Sequence, residues 1–64
     1  MRYNIGDKVV ITRVSVTDTR FGVKVGDVAK VVEQDHWDRN WYYCRNPDWK
    51  QDIVNMKNDQ LKKL

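Results

Sequence analysis

The sequence predicts an all-β domain: a small five-stranded barrel with one short helical turn before the last strand. Three observations carry that expectation. Apolar residues fall in short β-branched or aromatic runs, at residues 8–12, 28–33 and 41–45. Turn residues punctuate these runs at short intervals, as Gly6-Asp7, Gly26-Asp27 and Asn46-Pro47-Asp48. No segment sustains the 3.6-residue apolar period of a long amphipathic helix. Short strands with regular turns in a short chain read as a small barrel.

The chain has 64 residues, which gives one domain over residues 1–64. A core of that size is marginal, so rings and β-branched residues must carry most of the packing. Twelve basic and nine acidic residues leave a net charge of +3. That balance permits nucleic acid or an acidic partner and compels neither. The single Cys excludes an intramolecular disulfide and fits the cytoplasm. No N-terminal apolar run resembles a signal peptide, and no stretch is long enough to cross a bilayer, so no membrane association is expected.

In chain order, residues 1–5 are a lead-in and Gly6-Asp7 a turn. Residues 8–12 form the first strand, with Val9 and Ile11 on the core face because Lys8 marks the wet one. Residues 13–24 mix Ser, Thr, Asp, Arg and Gly around Val14, Val16 and Phe21. They read as a partly strand-like excursion, anchored by Phe21 and turned at Gly22. Residues 28–33 form the second strand. Its apolar positions, Val28, Val31 and Val32, break strict alternation, which predicts a bulge or bend. Residues 35–40 are a polar turn. In residues 41–45 alternation sends Tyr42 and Cys44 inwards and Trp41, Tyr43 and Arg45 outwards. Asn46-Pro47-Asp48 is a turn in which Pro presets φ. Residues 53–56 form a short strand, residues 58–60 a helical turn with an Asn or Asp cap, and residues 61–64 the last strand.

Gly26-Asp27-Val28-Ala29-Lys30-Val31-Val32 resembles the GD-hydrophobic strand of SH3 domains, and Asn40-Trp41-Tyr42 resembles the start of their next strand. The likeness covers residues 21–44, with a looser match to residue 64. It implies an SH3-like barrel in which the excursion is the RT loop, residues 35–40 the n-Src loop, and Trp41 one wall of a ligand groove. Three departures argue against a proline-rich ligand. Residues 8–12 carry no ring, Lys57 and Gln60 stand where SH3 domains place Pro and Tyr, and the excursion is basic rather than acidic. Gly6-Asp7-Lys8-Val9 and Gly26-Asp27-Val28 also resemble the KOW barrels of transcription and translation, which implies nucleic-acid or protein binding. The lone compact domain is similar, too, to small orphan SH3-like proteins of phages and prophages.

The contact face expected from these readings is Trp41, Tyr43 and Trp37, with Arg13, Arg20 and Lys24 at its rim. Trp41 is assigned to the surface by alternation and by the likeness. For Trp37 and Trp49, partner contact and internal packing both remain open. Asp35, His36 and Asp38 lack a fourth ligand and read as a solvated turn rather than a metal site. Cys44 points inwards without an orienting base and reads as an inert buried thiol. No nucleophile, acid–base pair, metal set or phosphate loop is assembled. The expectation is a non-enzymatic module without cofactor or small-molecule substrate that binds a protein. Rings with Arg can also stack bases and hold phosphate, which keeps RNA or single-stranded DNA as the alternative partner.

Overall fold

A computed structural model describes residues 2–64. Five strands make one antiparallel sheet: β1 (Lys8–Ile11), β2 (Val28–Gln34), β3 (Trp41–Arg45), β4 (Ile53–Lys57) and β5 (Leu61–Lys63). A 3-10 turn, Asn58–Gln60, stands before β5, where the sequence predicts a helical turn. The spatial order is β4-β3-β2-β1-β5. β2, β3 and β4 form a meander, and the 3-10 turn then carries the chain to the other side of the sheet. There β5 pairs with β1, Val9 facing Lys63 and Ile11 facing Leu61. The ladder is open. Among the described residues no pairing joins β4 to β5, so both are edges, and hydrogen bonding does not close the sheet into a barrel.

The core lies on one face of this sheet, where alternation along each strand places it. Val9, Ile11, Ala29, Val31, Tyr42, Cys44, Val54, Met56 and Leu61 point to that face and are buried. Full burial of each of the larger side chains contributes about 1.5–3 kcal/mol. The register of β2 on β3 slips between Val31, opposite Cys44, and Glu33, opposite Tyr43. Val32 is the extra residue. This is the bulge announced by the broken Val28, Val31, Val32 pattern, and such a bulge bends a strand and sharpens its twist.

Three side chains from outside the strands close the core: Tyr3, Val23 and Trp49. Tyr3 packs edge-to-face on Tyr42, with ring centroids 5.1 Å apart and planes at 84°, and its hydroxyl donates to Leu61 O at 3.1 Å. Residues 1–5 are thus more than a lead-in, since Tyr3 is a core ring.

The excursion between β1 and β2 departs from the strand-like expectation. Residues Val16–Arg20 form one turn of helix, α1. Ser15 caps it: its Oγ accepts the Asp18 N–H at 3.1 Å, and Asp18 Oδ2 accepts the Ser15 N–H at 3.0 Å. The buried Gln60 amide then ties α1 to the 3-10 turn. Its Nε2 donates to Asp18 Oδ2 at 2.8 Å and to Arg13 O at 3.1 Å, and its Oε1 accepts the Lys57 N–H at 3.0 Å. The 3-10 turn is therefore capped by Gln60 reaching back, rather than by an Asn or Asp at its start. Phe21 packs against the core as expected. Gly22 adopts φ +86°, and a Cβ there would stand 3.1 Å from Lys50 N.

Candidate binding face

The outward side of β3 carries Trp41, Tyr43 and Arg45, as alternation requires, while Tyr42 and Cys44 are buried. Trp41 lies opposite Lys57, and Tyr43 lies between Glu33 and Asn55 on the flanking strands. Both rings are half-buried.

Asp35 organises the loop that leads into β3. Its Oδ1 accepts the N–H groups of Trp37 (2.7 Å) and Asp38 (3.2 Å), and its Oδ2 accepts Asn55 Nδ2 at 2.9 Å. These donors favour the ionised form and hold the carboxyl below its usual pKa, the Trp37 N–H most of all, then Asn55, with smaller shares from Asp38 and the Tyr43 hydroxyl. Asp38 Oδ1 accepts the Asn40 N–H at 2.9 Å, and Gln34 Nε2 donates to Arg39 O at 2.9 Å. The loop is thus held by side chains at both ends, and it lifts Trp37 to 96% exposure. Beside it lies an open hollow of about 500 Å³ lined by Ile5, Glu33, Gln34, Asp35, His36 and Arg39. Asp35 Oδ1 and Asp38 Oδ1 accept backbone N–H groups, Asp35 Oδ2 accepts the Asn55 amide, and His36 Nε2 sits 3.0 Å from Glu33 Oε1. Among the described residues no three His, Cys, Asp or Glu side chains are grouped to hold a metal ion.

The two tryptophans left open by the sequence separate cleanly. Trp37 is a surface ring, whereas Trp49 is 5% exposed and donates its indole Nε1–H to Asp27 Oδ2 at 2.8 Å. Cys44 is fully buried, and burial pushes its thiol up to about 12. Burial therefore disfavours the reactive thiolate at neutral pH.

The basic residues divide. Arg13 reaches the 3-10 turn, with Nη2 2.6 Å from Asp59 Oδ2. That turn meets the chain at the start of β3, because Asn58 N–H donates to Asn40 O at 2.7 Å, next to Trp41. Arg20 ends α1, and Lys24 precedes the Gly26-Asp27 turn. Their segment packs on residues 46–52, where Lys50 N–H donates to Phe21 O at 2.8 Å. Arg20 and Lys24 therefore stand at the start of β2, and Trp37 stands past its far end. Ile5, Glu33 and Asn55 join the ring side without having been singled out from the sequence. The one available signal was an apolar Ile5 directly before a Gly-Asp turn.

No protein-family model matches the sequence, and comparison with curated proteins and with solved structures likewise returns no match. No helix among the described residues is long and apolar enough to cross a membrane.

Proposed function

We propose that this chain is a non-enzymatic, SH3-like binding module that engages a protein partner through Trp37, Trp41 and Tyr43, with Arg13 at the near rim. Arg20 and Lys24 belong to the same reading as a more distant basic flank. The observation that carries it is Trp37. An indole that is 96% exposed adds almost nothing to the fold, yet three side-chain-anchored backbone contacts hold its loop in place. A solvent-facing aromatic on an anchored loop that leads into the strand of two half-buried rings suits a protein interface, where aromatic residues are enriched. The SH3 likeness supports the same face, since it places the ligand-wall ring at Trp41. A cytoplasmic setting suits a buried, unoxidised thiol. A phage or prophage protein acting on a host or phage protein fits the same reading.

The test is affinity capture from nuclease-treated lysate by the wild-type chain and by Trp37→Ala and Trp41→Ala, each checked for thermal unfolding. The reading requires capture that survives nuclease and falls by about 2 kcal/mol or more, roughly thirtyfold, in folded variants. Capture lost on nuclease treatment instead assigns the face to nucleic acid, in the KOW-like manner.

A further inference from the structure

The outer face of the sheet carries a second arrangement, away from Trp37. Lys8 on β1 lies directly opposite Lys30 on β2, and Lys30 lies directly opposite Arg45 on β3. Their neighbours Val9, Ala29, Val31 and Cys44 are buried, so all three cations project from the same outer face. Facing Cβ atoms on adjacent strands stand about 4.5–5.5 Å apart, and like charges so placed repel. Two such pairs share Lys30. Little within the chain relieves them. Among the described residues the one acidic contact in the row is Asp52 Oδ2, 3.9 Å from Arg45 Nε between exposed side chains, and Asp48 stands at the rim. The three cations line an open hollow of about 290 Å³ together with Val28, Asn46 and Asp48.

The row is bounded by apolar side chains. Ile53, 41% exposed, faces Arg45 from β4. Leu64 N–H donates to Lys8 O at 3.1 Å, which sets an exposed Leu64 beside the other end. The neighbouring row runs Lys62, Val10, Val28, with Val28 46% exposed.

We propose that the Lys8–Lys30–Arg45 row docks an acidic protein segment whose carboxylates alternate with apolar side chains. This rests on the reading of the chain as a protein-binding module and names its partner's chemistry. Charge complementarity supplies the argument: three facing cations acquire in a complex the counter-ions that the fold withholds. The apolar border selects protein over nucleic acid. Val28, Ile53 and Leu64 can bury against aliphatic side chains of a peptide, which a phosphodiester backbone does not carry. The ring side of the same face also carries Glu33 and Asp35, which repel a continuous run of phosphates.

The experiment uses the full chain and a labelled peptide of alternating Glu and Leu, with an alternating Gln–Leu peptide and oligothymidylate as comparisons. Binding of the Glu–Leu peptide should weaken as salt is raised and fall more than tenfold in Lys30→Glu. Lys30→Glu replaces two repulsions by two attractions, so it should unfold no earlier than wild type, and loss of binding then cannot be loss of fold. Three results overturn the proposal: no binding of the Glu–Leu peptide, equal binding of the Gln–Leu peptide, or tighter binding of oligothymidylate. Trp37→Ala separates this inference from the ring reading. Peptide binding that survives Trp37→Ala but not Lys30→Glu supports the row alone. Peptide binding lost in Trp37→Ala and intact in Lys30→Glu supports the rings and overturns the row.

Discussion

Residues 35–40 and residues 46–52 both join neighbouring strands of the meander, both open on an Asx side chain that accepts backbone N–H groups, and both carry one tryptophan. Trp37 ends in solvent and Trp49 ends in the core. Local chemistry does not separate them. What separates them is the segment across the way. The excursion folds onto residues 46–52: Phe21 O takes the Lys50 N–H, and Asp27 gives the Trp49 indole an acceptor at 2.8 Å. At the far end of the meander the 3-10 turn reaches the loop, its Asn58 N–H donating to Asn40 O at 2.7 Å, and the exposed Ile5 lines the hollow beside it, yet Trp37 remains 96% exposed. A loop aromatic becomes core when another stretch of backbone brings it a floor and a hydrogen-bond partner. Without them it stays free to contact something else.

Substitution of the two rings breaks the comparison most sharply. Trp49→Ala should cost about 3–5 kcal/mol, a large part of the roughly 3–10 kcal/mol typical for a domain of this length. Chemical denaturation should show a much earlier midpoint or no folded baseline. Trp49→Phe, which keeps a ring and loses the N–H to Asp27, should cost far less. If Trp49→Ala unfolds like wild type, the excursion does not seal this end of the core.

Gly22→Ala attacks the floor rather than the ring. It forces a side chain into φ +86° with its Cβ 3.1 Å from Lys50 N. A loss of about 1–3 kcal/mol in urea unfolding is expected. A neutral result would mean that residues 21–22 and 49–50 do not pack as described.

Trp37→Ala is the counterpart on the open loop. Its stability should stay within about 0.5 kcal/mol of wild type, and a larger loss would show that the ring packs on something.

The smallest effect is local and depends on pH. The carboxyl of Asp35 is held below its usual pKa, so its contribution to loop order is fully present above the ordinary carboxylate range and fades as pH falls through the lowered value. The Trp37 and Asp38 amide resonances should hold steady down to about pH 4 and move together only below it. Movement centred within the ordinary range, or none at any pH, would remove Asp35 from the centre of the loop.

Much of the sheet was readable because strand alternation is a local property. Residues 41–45 sort into Tyr42 and Cys44 inside and Trp41, Tyr43 and Arg45 outside with no knowledge of the neighbours. The bulge at Val32 showed itself as two adjacent valines where one polar residue was due. The helical turn of the excursion also left a mark, Ser15 three residues before Asp18, which is the spacing of a capping box. That spacing lies among β-branched residues, which favour extended chain. Tyr3, Trp49 and the Asp18–Gln60 contact left no local mark, because each is made by partners far apart in sequence. The same holds for the cation row: Lys8, Lys30 and Arg45 are scattered along the chain, and only strand register sets them face to face.

The pairing of β5 with β1 has a kinetic consequence. β2, β3 and β4 find their partners within short stretches of chain, so the meander can assemble by small, cheap loop closures. The contact between Val9 and Lys63 closes a loop of nearly the whole chain, and such distant contacts form slowly because their entropy must be lost before they reward it. The β1–β5 seam should therefore be the last to zip and the first to open. Substitutions at Leu61 should mainly speed unfolding, whereas substitutions at Val54 or Tyr42 should slow refolding. A slower refolding rate on changing Leu61 would place the seam in the nucleus instead.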